Sequence, residues 1–201
     1  MEYLFEKGSG QHFLLLHGTG GDETSLMDIA HFLDDKSTIL SFRGEIQEQG
    51  MNRFFKRNGL NQFDYESLEE ESDKLLAEIT RVSHEHKIAL EDWVIVGYSN
   101  GANIAAHLIL ERQTKLTKGI FFHPMSLGAA NKRIDLSKKY FWLSYGMGDP
   151  IVEKPIFDEL KKNLTTQGAD VTVEITQTGH QLTMPELTAA KKWLEALETG
   201  V

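Results

Sequence analysis

The stretch Trp93-Val94-Ile95-Val96-Gly97-Tyr98-Ser99-Asn100-Gly101-Ala102-Asn103-Ile104-Ala105-Ala106 constrains this chain more than any other. An apolar β-branched run ends at Gly97 and small helix-forming residues begin at Gly101, so the segment reads as a buried strand turning sharply into a helix. In the pattern Gly97-x-Ser99-x-Gly101, the glycines remove Cβ atoms that would clash in so tight a turn. The turn lifts the Ser99 hydroxyl above the sheet, at the positive end of the following helix. Ser99 is therefore a candidate nucleophile.

The rest of the chain supplies the sheet that such a turn needs. Tyr3 to Phe5, Phe13 to Leu16, Thr38 to Phe42, Gly119 to Phe122, Tyr140 to Gly146 and Val171 to Ile175 read as strands. Helices are expected from Thr24 or Ser25 to Phe32, Glu66 to His86, the elbow to Glu111 or Arg112, Val152 to Thr166 and Glu186 to Leu197. Strands alternating with helices imply an α/β architecture, a mostly parallel twisted sheet with helices on both faces. At 201 residues this is one domain, 1–201. Arg43 to Asp64 shows no clean period, yet it carries Met51, Phe54, Phe55, Leu60 and Phe63 among Arg53, Lys56 and Arg57. Such segments are often functional, and Met51, Phe54 and Phe55 are candidate pocket walls. A surface loop tucking its aromatic residues under itself is the alternative.

Thirty acidic against 21 basic residues give a net charge of -9, which disfavours nucleic acid as a partner. There is no cysteine, so disulfides, thiolate metal sites and cysteine nucleophiles are all excluded. The start has no signal-peptide pattern, and no apolar run approaches membrane-spanning length. A cytoplasmic protein without membrane insertion is expected. His84 and His86 stand two apart, which on a helix points them to different sides, and no histidine pattern suggests a metal.

In a parallel sheet, ligands bind beyond the carboxyl ends of the strands. Thr19, Ser99, His123, Asp149 and His180 all fall there. A serine hydroxyl becomes a useful nucleophile when a neutral imidazole takes its proton and a carboxylate fixes the imidazole's tautomer. Ser99, Asp149 and His180 follow three separate strands and supply those roles. Asp135 and Asp170 sit at the opposite end of their strands. The glycine-rich loop His17-Gly18-Thr19-Gly20-Gly21 lacks the Lys-Ser/Thr ending of a phosphate loop, and suits an oxyanion hole built from the backbone N–H groups of Thr19 and Asn100. His17 shapes that loop, and His123 is a candidate pocket residue.

Leu16-His17-Gly18-Thr19-Gly20-Gly21, Gly97-Tyr98-Ser99-Asn100-Gly101, Gly148-Asp149-Pro150 and Gly179-His180 together resemble the small carboxylesterase/phospholipase family of α/β hydrolases. Ser41-Phe42-Arg43-Gly44 with Met51-Asn52-Arg53-Phe54-Phe55 is similar to a bacterial esterase branch of it. The resemblance implies an α/β-hydrolase fold without a large inserted lid, and a serine esterase that needs no cofactor and no metal. It acts on small-molecule carboxylic esters, short-chain or aromatic, with thioesters left open. An acyltransferase or peptidase using the same triad, and a binding protein that kept the fold and lost the chemistry, remain alternatives. A homodimer is also left open. Dienelactone hydrolases share the fold but use a cysteine that this chain lacks.

Overall fold

A computed structural model describes residues 1–200. In chain order, β1 (Tyr3–Glu6) and β2 (His12–Leu16) precede α1 (Met27–Leu33) and β3 (Thr38–Phe42). Then come four short strands, β4 (Ile46–Glu48), β5 (Met51–Arg53), β6 (Arg57–Gly59) and β7 (Gln62–Phe63), and the long helix α2 (Tyr65–His86). The remainder is β8 (Trp93–Tyr98), α3 (Asn100–Glu111), β9 (Lys118–Phe122), β10 (Tyr140–Gly146), α4 (Lys154–Thr166), β11 (Asp170–Thr176) and α5 (Met184–Thr199).

Seven strands form the main sheet in the order β1-β3-β2-β8-β9-β10-β11. All neighbours run parallel except β1, which lies antiparallel on β3 and closes that edge. Central strands are apolar on both sides because both faces are covered. Phe13 and Leu15 of β2 pack with Ala30 of α1 and with Leu187, Ala190 and Leu194 of α5. Leu14 and Leu16 face the other way, into a core shared with Leu68, Leu75, Ile79 and Val82 of α2, Ile104 of α3 and Leu160 of α4. The Asp64 carboxylate caps α2 by accepting from the Ser67 N–H. Thr183 and Glu186 form a capping box at the start of α5.

The segment expected to be irregular is instead two antiparallel hairpins, β4 with β5 and β6 with β7. Strands of two or three residues are too short to show a period in sequence. α1 begins at Met27 rather than at Thr24 or Ser25, because Asp22 first organises a turn by accepting from the Thr24 N–H and hydroxyl. Among the described residues, no helix is long and apolar enough to cross a membrane.

The topology positions the site. The chain leaves β2 for β3 on one side, then returns to place β8 on the other side of β2. A crevice opens at such a switch point, beyond the carboxyl ends of the two strands. Leu16 pairs with Gly97 across it, so the Thr19 loop and the Ser99 turn emerge side by side.

Candidate active site

Ser99 sits at φ 50, ψ -113, a left-handed conformation that a residue with a Cβ adopts only when its surroundings enforce it. The enforcement is visible. The Ser99 N–H donates to the Phe122 carbonyl at 3.0 Å, and the Ser99 carbonyl accepts from the Asn103 N–H at 2.9 Å. A Cβ on Gly101 would lie 2.0 Å from the Leu16 carbonyl oxygen, so glycine is required where α3 crosses β2.

His180, in the loop after β11, places Nε2 at 2.8 Å from Ser99 Oγ and Nδ1 at 2.7 Å from Asp149 Oδ2. Asp149 follows β10, and its side chain is fully buried. Burial raises a carboxyl's pKa, yet the carboxyl of Asp149 is held below its ordinary value, because Oδ1 accepts from the Val152 and Ile151 N–H groups and Oδ2 from His180. Asp149 is therefore ionised and accepts at Nδ1 of His180, which leaves Nε2 as the lone pair facing the serine hydroxyl. Tyr98 Oη donates to the His180 carbonyl at 2.9 Å and fixes that loop. Asp135 and Asp170 lie far from this chain of hydrogen bonds: Asp135 caps Ser137 in an exposed loop, and Asp170 begins β11.

The Thr19 loop is held from two sides. Gly44 N–H donates to His17 Nε2 at 3.0 Å, so the neutral ring carries its proton on Nδ1 and donates to the Gly18 carbonyl at 2.7 Å. Burial pushes the His17 pKa down, in keeping with that neutral tautomer. From the other side, Gly20 N–H donates to Asn52 O at 2.9 Å and Asn52 Nδ2 to Gly21 O at 2.7 Å. Neither the Thr19 nor the Asn100 backbone N–H is spent on a partner among the described residues.

Ser99 and His180 open into a cavity of about 330 Å³, which Thr19, Met51, Tyr98, Asn100 and Met125 also line. Met51 thus stands in the cavity wall. Phe54 and Phe55 do not: both are buried in the core beneath it, Phe54 tilted against His17 and Phe55 edge-on to Phe63. Hairpin β4/β5 turns its Arg53 and Met51 toward the crevice and sends the following aromatics inward, where burial of an aromatic ring is most favourable. Arg53, Arg57, Leu60, Asn61, Phe63, Asn103 and Ile151 complete that wall.

His123 is the other correction. It lies behind Asp149 rather than in the cavity, fully buried, with Nδ1 at 3.2 Å from Asp149 Oδ2 and Nε2 at 2.9 Å from Glu186 Oε1. The second contact has ion-pair distance without hydrogen-bond alignment. Its backbone lies at φ 50, and its two ring nitrogens face Asp149 and Glu186. His123, Asp149 and His180 bring ligand-type atoms within 4.8 Å of one another. Two ligands each about 2.1 Å from a tetrahedral metal stand about 3.4 Å apart, whereas Asp149 Oδ2 lies 2.7 and 3.2 Å from its two imidazoles. Those distances fit shared protons.

Glu186 was not expected here, although Thr183-x-x-Glu186 before an apolar helix is a readable capping box. Burial pushes its carboxyl up, but contacts from His123 and Thr183 outweigh it and hold the group below its ordinary value of 4.5. A folded pKa below the unfolded one adds stability that is complete above the ordinary carboxylate range and lost as pH falls through the folded value. Glu186→Gln keeps a capping partner and removes the charge. We expect its Tm at neutral pH to fall by about 4–8 °C, the effect of about 2 kcal/mol in a chain of this size. The gap to wild type should close below about pH 4.5, the range in which wild-type Glu186 itself protonates. A gap of constant size in melts across that range would show that the ionised carboxylate adds nothing.

A serine on a strained strand-to-helix turn, joined by hydrogen bonds through a histidine to a buried carboxylate at the carboxyl edge of a mostly parallel, helix-covered sheet, is the arrangement of the α/β-hydrolase fold. The model of the Phospholipase/Carboxylesterase family matches residues 6–198, and the chain belongs to that family. It is 36% identical over 194 residues to the Bacillus subtilis (strain 168) protein named "Putative hydrolase MhqD", covering 96% of this chain and 97% of that one. The Bacillus cereus carboxylesterase structure is 37% identical with a TM-score of 0.94, covering 97% of this chain and 93% of that one. A structure of YahD with malic acid is 40% identical with a TM-score of 0.93, covering 96% and 98% of the two chains.

Proposed function

We propose that this carboxylesterase-family protein is a serine hydrolase of small carboxylic esters, with Ser99 as nucleophile, His180 as general base and Asp149 as the acid that orients it. The observation that carries this reading is the unbroken hydrogen-bond chain from Ser99 Oγ through His180 to a buried, ionised Asp149, at the edge of a cavity. In the first half-reaction His180 Nε2 takes the Ser99 proton as Oγ attacks the ester carbonyl. The N–H groups of Thr19 and Asn100 meet the developing oxyanion, and Asp149 stabilises the imidazolium. His180 then protonates the leaving alcohol. Water, activated by the same imidazole, releases the acid from Ser99.

About 330 Å³ is at the small end of ligand sites, which run from about 300 to 1,000 Å³. That volume suits short-chain or small aromatic acyl groups rather than long lipid chains. Thioesters would pass through the same acyl-enzyme. YahD, solved with malic acid, supports a small-molecule ligand for this chain as well.

Fluorophosphonate treatment followed by peptide mass spectrometry is the direct test. We expect one covalent adduct, on the peptide that carries Ser99, together with turnover of 4-nitrophenyl acetate and butyrate. A folded protein that leaves Ser99 unlabelled and both esters intact would instead be a binding protein on a hydrolase fold.

A further inference from the structure

The cavity beside Ser99 carries charge. Arg53 and Arg57 both line it, and among the described residues no carboxylate side chain does. The Arg53 side chain is only 5% exposed, and its neighbours are mostly uncharged: Nη1 donates to Thr19 Oγ1 at 2.6 Å and Nε to the Phe55 carbonyl at 3.3 Å. Its anionic neighbour is Glu48, whose Oε2 lies 3.3 Å from Nε of Arg53 and 3.3 Å from Nε of Arg57. The other Glu48 oxygen accepts from the Arg57 backbone N–H. Two guanidinium groups therefore share one carboxylate, on a protein whose overall charge is -9. Among the described residues no hydrogen bond reaches Arg53 Nη2 or either Nη of Arg57.

Burying a cation with half a counter-charge is costly unless something completes the pairing. Guanidinium donors left free in a fork match a carboxylate in geometry and charge. We propose that the site takes esters bearing a carboxylate, with Arg53 and Arg57 reading that group and Glu48 holding the two guanidinium groups in place. The proposal rests on the serine-hydrolase reading above and adds the substrate class. Arg53 is bonded to the side chain of Thr19, whose N–H faces the reacting carbonyl in that reading. The recognised carboxylate therefore stands a few bonds from the scissile ester, as in monoesters of short dicarboxylic acids. Met51, Phe63 and Ile151 offer apolar wall to the methylenes between the two groups.

The test compares kcat/KM by pH-stat for monoethyl succinate and monoethyl glutarate with their uncharged carboxamide isosteres. Acetoxyacetate and its amide place the charge on the alcohol side. We expect wild type to prefer the charged member of at least one pair by about tenfold or more, the scale of a charge-assisted hydrogen bond. Arg57→Gln should lower that ratio about tenfold. Glu48→Gln, which keeps a side-chain oxygen to position the guanidinium groups but removes the charge that competes with the substrate carboxylate, should raise it. Arg53→Lys, which keeps charge and loses the fork, should fall between wild type and Arg53→Gln. A ratio near one for every pair, or one that neither Arg57→Gln nor Glu48→Gln moves, overturns the proposal and leaves Arg53 as a tie between hairpin and Thr19 loop. Because the ratio is taken within one protein sample, lost folded protein cancels. Failure of the hydrolase reading looks different: neither ester of any pair turns over, and Ser99 stays unlabelled, which ends both.

Discussion

Replacing Ser99 by alanine is expected to lower ester turnover by about 10³-fold or more while the protein melts within a degree or two of wild type. The fold should tolerate it because the strained backbone at position 99 is held by the Ser99 N–H to Phe122 and Ser99 carbonyl to Asn103 hydrogen bonds, which alanine keeps. What is lost is Oγ, together with its contact to His180 Nε2. A drop of 10³ corresponds to about 4 kcal/mol of transition-state stabilisation. Residual activity would come from the oxyanion donors and the cavity, which remain intact. Near-normal kcat for a folded Ser99→Ala protein would remove the acyl-enzyme mechanism.

The second large effect is expected at Asp149. Asparagine there keeps an oxygen for the Ile151 and Val152 N–H groups, so the turn after β10 survives. Its amide, however, donates toward His180 Nδ1 and forces the ring's proton onto Nε2, the atom that must accept from Ser99. A base in the wrong tautomer costs about 10⁴-fold in kcat in a serine protease, and a loss of that order is expected for Asp149→Asn. Asp135→Asn and Asp170→Asn are the controls, since neither touches the Ser99–His180 chain. Kinetics and thermal melts on all three separate the outcomes. Comparable losses at the three positions would mean general destabilisation and would leave the orienting acid unassigned.

Much of this arrangement is legible in the chain because its signals are local. Runs such as Val94-Ile95-Val96 mark strands covered on both faces, and the spacing of Leu68, Leu75, Ile79 and Val82 marks one buried stripe on α2. Residues just past such strands must gather at one edge of a parallel sheet. The neighbourhood of Thr19, Ser99, Asp149 and His180 thus follows from order and periodicity before any coordinate is known. Even the Glu186 cap is written locally, in its spacing from Thr183.

Facing, by contrast, was settled by tertiary structure. Apolar character says that Phe54 and Phe55 avoid water, and a cavity wall and the core beneath it satisfy that equally well. The β4/β5 hairpin, too short to have a period, decided for the core and turned Arg53 to the crevice instead. His123 stands on the correct edge by sequence, yet in the folded chain its ring packs behind Asp149 and against Glu186. The sequence by itself determined which groups reach the carboxyl edge of the sheet, because strand and helix periods are short-range properties. Only the folded chain decided which of them join Ser99 in one chain of hydrogen bonds and which stand behind, because contacts between distant segments depend on packing that no local pattern encodes.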